Sequence, residues 1–441
     1  MNNLKPLKQE LEDRWLLFQF SSEELFEKFD KWEWNFYCGF DPTADSLHLW
    51  NFIWFMVAVH LMRRWNKYTA LTGWATWMIW DPWGKDAERT FLSIEDLDKN
   101  EKKISAQIKN ISENLENFSW TKFNFDFVNN KDFYEWMWYL DFLREVWKYI
   151  TVNNMIAKDT VKKRIEDENK SISYTEFSYM LLQWYDFVKL FKDKNVTLQI
   201  WGQDQWWNLV TWTEIIRKKY DAKTNVLTWP LITDSTWRKF WKSEWNAIWL
   251  DKSKTSPYFI YQYFMNTSDD DISRYLKMLT LIEVDEIDEI VKNHFEAPEK
   301  REGQKILAFK VVEILHWATE ADLAEKISDF MFWNEDKMEI LKNLNASEIE
   351  TFQNAIWGFK YWENWELENL FEVLVKSLLE NSNSNARKSI QWNAISINWE
   401  KIKCENNNFD YDFEKNFIQN VDWNLFILIQ KWKKNFRIIT K

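Results

Sequence analysis

A chain of 441 residues with 46% apolar content is long enough to bury two or three cores, so a multi-domain globular protein is expected. Its net charge of −12 excludes a protein that coats nucleic acid over its whole surface, although a local basic patch is compatible with it. The two cysteines, Cys38 and Cys404, lie far apart with no metal-ligand spacing around them, which argues against a disulfide framework or zinc site and fits a reducing cytoplasm.

The N-terminal MNNLKPLKQELEDRW mixes Lys and Glu as an amphipathic helix would, and does not read as a secretory signal. No uncharged apolar run is long enough to span a bilayer. Residues 35–39 (NFYCG) read as a short buried strand, DPTADS as a turn, 47–64 as a helix and 67–72 as a second strand. That order predicts a parallel α/β sheet with ligands at the C-terminal ends of its strands. Farther on, SYTEFSYMLLQWYDFVKLF places Phe177, Leu181 and Tyr185 on one helix face, and VTLQI at 196–200 is another strand that ends in GQDQW. From Thr267 the pattern turns helical. Ser268 can cap a helix with apolar positions Ile272, Tyr275, Leu276 and Leu279, and Leu307, Val311, Ile314 and Leu315 mark another. After the linker-like NSNSN at 381–385 comes a small module with apolar strands around ISI and LFILI and a basic close.

Globular chains carry roughly 7% glycine, yet this one has 6 Gly beside 33 Trp. An aromatic binding surface or a membrane-interface belt would align Trp on one face or rim. Here Trp stands instead where a residue without a side chain would serve. In LTGWATWMIWDPWGK, Trp74, Trp77, Trp80 and Trp83 interrupt what would otherwise be a glycine-rich loop. Trp65, Trp147, Trp399 and Trp432 fall in short polar bends suited to helix C-caps or hairpin turns. The placement predicts that many written tryptophans are glycines, as happens when UGA codons that specify glycine are read as tryptophan. Trp206 and Trp249 look genuine, and Trp229, Trp362, Trp365 and Trp423 are left unassigned.

Two segments carry the chemistry. In YCGFDPTADSLHLWN (37–51), Thr43 and His48 can offer donors to phosphates at a helix N-terminus, where backbone N–H groups already favour anions. In RKFWKSEWNAIWLD (238–251), Lys239, Lys242 and Ser243 form a basic loop suited to stabilising negative charge. With glycine at Trp50, Trp241 and Trp245 these resemble the HIGH-type and KMSKS-type signatures of class I aminoacyl-tRNA synthetases, with Asn51 in place of the usual second histidine. SYMLLQWYD sets Tyr179, Gln183 and Asp186 on one helix face. Together with Tyr37 and Asp81, this pattern resembles the bacterial-type tyrosyl-tRNA synthetases, and the likeness runs from about residue 10 to the end of the chain.

The resemblance implies that Tyr37 and Asp186 bond a tyrosine phenol, while Asp81, Tyr179 and Gln183 hold its ammonium group and Gln205 its carboxylate. It also implies that Cys38, Asp41 and Asp204 lie by the ribose, that Asn51 belongs to the ATP site, and that Lys85 and Arg89 meet pyrophosphate. ATP would be a substrate accompanied by Mg²⁺, with no tightly bound cofactor and no protein metal site. Four regions are expected: a Rossmann-like catalytic domain (1–228), a linking region with the KMSKS-type loop (229–262), a helical anticodon-binding domain (263–355) and a ribosomal-protein-S-four-like RNA-binding module (366–441). In the last, Arg387, Lys388, Lys431, Lys433 and Lys434 are candidate phosphate contacts. The implied partners are tyrosine, ATP, the tRNA for tyrosine and a second copy of the chain, with no membrane. Two rival readings are an inactive RNA-binding descendant with a closed ATP site and an aromatic sugar or single-strand binder. The turn positions of the tryptophans argue against the second.

Overall fold

The computed structural model describes residues 4–31, 34–79, 93–156, 161–162, 165, 173–231, 248–333, 337–355, 359–360, 370–402, 413–422, 425–432 and 435–440. The chain divides into two compact units, one of residues 1–255 with 265–316 and one of 256–264 with 317–441.

The first unit is built on a six-stranded sheet. Its strands are β1 (Gln19–Phe20), β2 (Asn35–Phe40), β3 (Lys67–Thr72), β4 (Asn124–Asn129), β5 (Val196–Gly202) and β6 (Asn225–Trp229), in the order β1-β6-β5-β2-β3-β4. Every neighbouring pair is parallel except β1–β6. β2 and β3 fall where the apolar runs predict them, and such runs suit strands covered on both faces. Phe36, Cys38 and Phe40 are buried, and so are Tyr37 and Gly39 between them. Chain order reverses direction between β2 and β5, with β3 and β4 to one side and β6 to the other. Open α/β sheets bind ligands in the crevice above such a switch point.

The helix Phe52–Met62 has every residue buried, including His60, so its apolar character all round reflects a core position. His60 Nδ1 lies 2.8 Å from a carboxylate oxygen of Glu10, which also pairs with Arg64 at 2.6 Å. Arg14, fully buried, donates to the carbonyls of Thr280 (3.1 Å) and Ile282 (2.8 Å) and so ties the N-terminal helix Leu7–Asp13 to the turn after the helix Asp269–Leu279. In that helix Ile272, Tyr275, Leu276 and Leu279 are all buried, as their spacing predicts, and Ser268 is its N-cap residue.

The second unit carries β7 (Phe359–Lys360), β8 (Ile395–Ile397), β9 (Glu400–Lys401), β10 (Ile418–Gln419), β11 (Leu425–Lys431) and β12 (Asn435–Thr440). They run in the order β7-β12-β11-β8-β9, with β10 on β11, and are antiparallel except for β12–β7. Side chains alternate along β11. Ile427 and Ile429 pack with Leu374, Ala386 and Ile390, whereas Phe426 and Leu428 pack with Phe330, Leu341 and Phe352. The α/β class with a small sheet at the C-terminal end is the architecture expected from the sequence.

Six tryptophans, Trp15, Trp65, Trp120, Trp317, Trp399 and Trp432, have φ between 51° and 74°. Left-handed backbone costs a residue with a Cβ roughly 1–2 kcal/mol. Trp15 is the residue after Arg14 at a helix end where Leu16 N–H bonds back to Leu11 O at 2.8 Å, a closure that usually employs glycine. Asn398 and Trp399 form the two-residue turn between β8 and β9 with φ of 47° and 72°, and the favoured sequence for such a turn is Asn-Gly. Trp74, Trp77 and Trp147 behave differently. The first two lie in the helix Trp74–Ile79, where a loop was expected, and Trp147 opens a 3₁₀ turn, so backbone conformation does not single out these three.

Candidate active site

A cavity of about 360 Å³ opens above the C-terminal ends of β2 and β5. Asp41 and Thr43 reach it from the turn after β2, His48 and Asn51 from the start of the buried helix, and Asp204 and Gln205 from the turn after β5. The switch point thus gathers residues from two segments, 41–51 and 204–205, that are far apart in sequence. Asp204 and Thr43 are exposed at its mouth, and Gln205 is buried with its Oε1 accepting from Asn208 Nδ2 at 2.8 Å.

His48 and Asn51 form a local cap. His48 N–H donates to Asn51 Oδ1 at 2.9 Å, and Asn51 N–H donates to His48 O at the same distance. Trp249 stacks on the His48 ring at 4.0 Å between centroids and pairs with His48 in an isolated antiparallel bridge. Burial and the Lys254 charge lower the imidazole pKa. The same cavity is lined by Trp50, Trp54, Trp201 and Trp229. Trp54 packs on Trp201 and Trp229 with centroids at 5.2 and 6.2 Å. A Cβ at Gly39 would come within 3.2 Å of the Trp201 ring, which shows how closely that indole lies against bare backbone.

From Asp41, which lines this cavity, a chain of polar contacts runs across residues that follow β2, β3 and β4 to the helix Tyr174–Lys194. Tyr179 Oη donates to Asp41 Oδ2 at 3.2 Å, and Thr76 Oγ1 donates to Asp41 Oδ1 at 3.2 Å. Asn130 Nδ2 reaches Thr76 Oγ1 at 3.3 Å and Asp186 Oδ2 at 3.0 Å, while Tyr134 Oη donates to Asp186 Oδ1 at 2.9 Å. Burial pushes Asp186 up to about 8 and Asp41 up to about 6, against the opposing effect of these donors. The Tyr37 phenol is buried with no hydrogen-bond partner among the described residues, and burial followed by the Asp186 charge raises its pKa. A buried carboxyl group beside a phenol without a partner is suited to receive one more hydroxyl.

Tyr37, Asp186, Tyr179 and Asp41 are therefore brought into one region, and Gln183 sits half-buried on the same helix as Tyr179 and Asp186. Cys38 is fully buried, with its Sγ toward Gly39 O and burial raising its thiol pKa, and it does not line the cavity. Asp81, Lys85, Arg89, Lys239, Lys242, Ser243, Lys433 and Lys434 lie outside the described residues. In the second unit, Arg387 and Lys388 are exposed on the helix Asn383–Gln391, whereas Lys431 pairs with Glu380 at 2.9 Å and donates to Leu379 O. Sequence reading missed Thr76, Asn130 and Tyr134. Asn130 and Tyr134 stand just after β4, and the position of NNKDFY behind an apolar strand was the available signal.

Residues 31–332 match the family model for tRNA synthetases class I (W and Y), and 357–439 match that for the tyrosine–tRNA ligase SYY-like C-terminal domain. The tyrosine–tRNA ligase of Streptococcus suis (strain 98HAH33) is 40% identical over 435 residues, which is 98% of this chain and 99% of that protein. The chain belongs to the class I tyrosyl-tRNA synthetases. The corresponding ligase of Streptococcus pneumoniae (strain 70585) is 39% identical over 434 residues, 98% of this chain and 99% of that one. A C-terminally truncated mitochondrial tyrosyl-tRNA synthetase from Aspergillus nidulans superposes with a TM-score of 0.69 and 29% identity, covering 75% of this chain and 95% of that one.

Proposed function

We propose that this tyrosine–tRNA ligase reads the substrate phenol with Tyr37 and Asp186 and positions ATP with Thr43, His48, Asn51 and Asp204. The observation that carries the reading is the pair of buried groups at the base of the site, the Asp186 carboxyl and the partnerless Tyr37 hydroxyl. Tyrosine can pair with both, whereas phenylalanine would leave the Tyr37 hydroxyl unpaired and Asp186 with only its bonds from Asn130 and Tyr134. Leaving a buried polar group unpaired costs roughly 1–3 kcal/mol, which favours tyrosine. Tyr179, Gln183 and Asp81 hold the substrate ammonium, and Gln205 its carboxylate. Cys38 and Asp41 belong on the ribose side.

The carboxylate of tyrosine attacks the α-phosphate of ATP, giving tyrosyl-adenylate and pyrophosphate, and a terminal ribose hydroxyl of the tRNA then takes the tyrosyl group. No side chain forms a covalent bond to substrate, so rate comes from placement and charge stabilisation. Lys85, Arg89, Lys239, Lys242 and Ser243 are the groups assigned to pyrophosphate, with Mg²⁺ entering as part of the nucleotide substrate. The region 263–355 is assigned to the anticodon arm. Arg387 and Lys388, with Lys431, Lys433 and Lys434, are assigned to RNA phosphates. Homodimerisation is supported by exposed apolar side chains at Tyr139, Leu140, Val152 and Tyr174. Cytoplasmic residence is supported by the cysteine usage, and among the described residues no helix is long and apolar enough to cross a membrane.

The second part of the proposal concerns the written tryptophans. Among the described residues six of them sit on left-handed backbone, and several are almost bare to solvent, Trp120 at 95% exposed and Trp136 at 90%. Trp147 and Trp184 have buried indole N–H groups with no hydrogen-bond partner among the described residues. These features fit glycine at many of the positions and support the reading of UGA as a glycine codon. Tyrosine-dependent exchange of pyrophosphate into ATP, run on paired proteins with Trp or Gly at 50, 74, 77, 201, 241 and 245, tests both parts. Activity is expected only with glycine. Activity in the all-tryptophan protein would overturn the decoding, and its absence from both would favour an inactive RNA-binding descendant.

A further inference from the structure

One hydroxyl that bonds Asp186 has no role in the reading above. Tyr134 ends the short helix Lys131–Tyr134 just after β4. Its Oη lies 2.9 Å from Asp186 Oδ1 and 2.9 Å from Leu182 O. The ring is fixed by Tyr185 and Phe142, with centroids at 5.6 and 6.2 Å. A hydroxyl has one proton to give, and an ionised carboxylate is a stronger acceptor than a neutral carbonyl. Asn130 Nδ2 donates to the other oxygen, Asp186 Oδ2, at 3.0 Å. Each carboxylate oxygen thus meets one protein donor and keeps a further lone pair for a ligand.

A carboxylate that is 2% exposed loses its charge unless donors stabilise it. Without charge and a fixed plane, Asp186 would be a poor acceptor for a substrate phenol. We propose that Tyr134 is a positioning residue for amino-acid recognition: its hydroxyl orients Asp186 and favours its ionised, accepting form, and thereby sets the preference for tyrosine over phenylalanine. The inference rests on the reading of Asp186 as the group that receives the substrate phenol. Tyr134 itself does not touch the substrate. Its effect passes through the carboxylate, which distinguishes it from Tyr37.

The test is pyrophosphate exchange on the active full-length enzyme with Tyr134→Phe and, in parallel, Asp186→Asn. Removing only the hydroxyl keeps the ring packing against Tyr185 and Phe142. A donor to a charged group is worth about a tenfold change in affinity, so Y134F should raise KM for tyrosine about tenfold and erode discrimination against phenylalanine by a similar factor. KM for ATP and the thermal midpoint should stay unchanged. If Asp186→Asn impairs tyrosine use and Y134F does not, the role of Tyr134 is overturned and the phenol site stands. If Asp186→Asn is without effect, both fall. A Y134F enzyme that loses ATP affinity, turnover and thermal stability together would mark a packing role only and would also overturn the proposal.

Discussion

Tyr179 donates its hydroxyl to Asp41 across 3.2 Å, joining the helix Tyr174–Lys194 to the turn that follows β2. The family resemblance implies different ligands for these two residues, the substrate ammonium and the ATP ribose. Their direct bond means that a change at one alters the other, and their effects on the two substrates should not be additive. In a double-mutant cycle of Tyr179→Phe and Asp41→Asn, read as KM for tyrosine and for ATP, a coupling of about 1 kcal/mol is expected.

Gly73 makes this arrangement feasible. A Cβ there would stand 2.2 Å from Asp41 Oδ1 and 2.5 Å from Thr76 Oγ1, closer than van der Waals contact allows. Gly73→Ala should therefore displace Asp41, at a cost of about 1–3 kcal/mol in stability and with a rise in KM for both substrates. Denaturant titration and exchange kinetics on the same variant check the two effects, and a variant of wild-type stability would contradict the geometry.

Asp186 predicts a pH dependence of substrate recognition. Its pKa is pushed up to about 8 by burial, against Asn130 and Tyr134, with Asp41 and Tyr37 also facing it. The ionised form is the acceptor, so KM for tyrosine should fall as pH rises from about 6 to about 8 and level off above that. Asp186→Asn should flatten the profile. A flat wild-type profile would show that the proton state of this carboxyl does not govern binding.

The Glu10–His60 contact predicts acid sensitivity of folding. Burial holds His60 down to about 4, against the opposing pull of Glu10, while an unfolded histidine titrates near 6.5. At high pH the imidazole is neutral in both states. Below about pH 6.5 the unfolded chain takes up a proton that the folded chain refuses until about pH 4, so stability should decline over that window by about 3 kcal/mol. For Glu10, burial acts upward, but His60 and Arg64 outweigh it and hold the carboxyl well below its usual range, so its contribution is lost at still lower pH. Urea unfolding between pH 7 and 4 measures the decline, which His60→Gln should remove.

Glycine at the left-handed tryptophans should stabilise the chain. Trp120→Gly and Trp399→Gly relieve backbone strain of roughly 1–2 kcal/mol each, with little packing lost at the exposed first site. Trp249→Gly should do the reverse, freeing the His48 ring and raising KM for ATP. Thermal midpoints of the three variants give the ordering, and a loss of stability on placing glycine at 120 would count against the decoding.

How much of this was legible in the sequence depended on whether the signal was local. The strands 35–40 and 67–72 announced themselves as apolar runs, and the face of Ile272, Tyr275, Leu276 and Leu279 by its spacing. His48 and Asp204 could be found because motif and turn lie side by side in the chain. Tyr134 could not, because its meaning comes from Asp186, 52 positions away. The left-handed turn at Trp399 was anticipated from its polar neighbours, but the helix over Trp74 and Trp77 was not. There, expected glycine chemistry argued for a loop while the written residues are compatible with helix.

The bridge between His48 and Trp249 has a mechanical consequence. Leu49 N–H donates to Ile248 O at 2.9 Å and Leu250 N–H to Leu47 O at 2.8 Å, so the strand leaving the lysine segment is stitched to the backbone beside the histidine. The segment 248–250 is held beside His48 by main-chain bonds alone, so a side-chain substitution at 248 or 250 leaves the attachment itself in place.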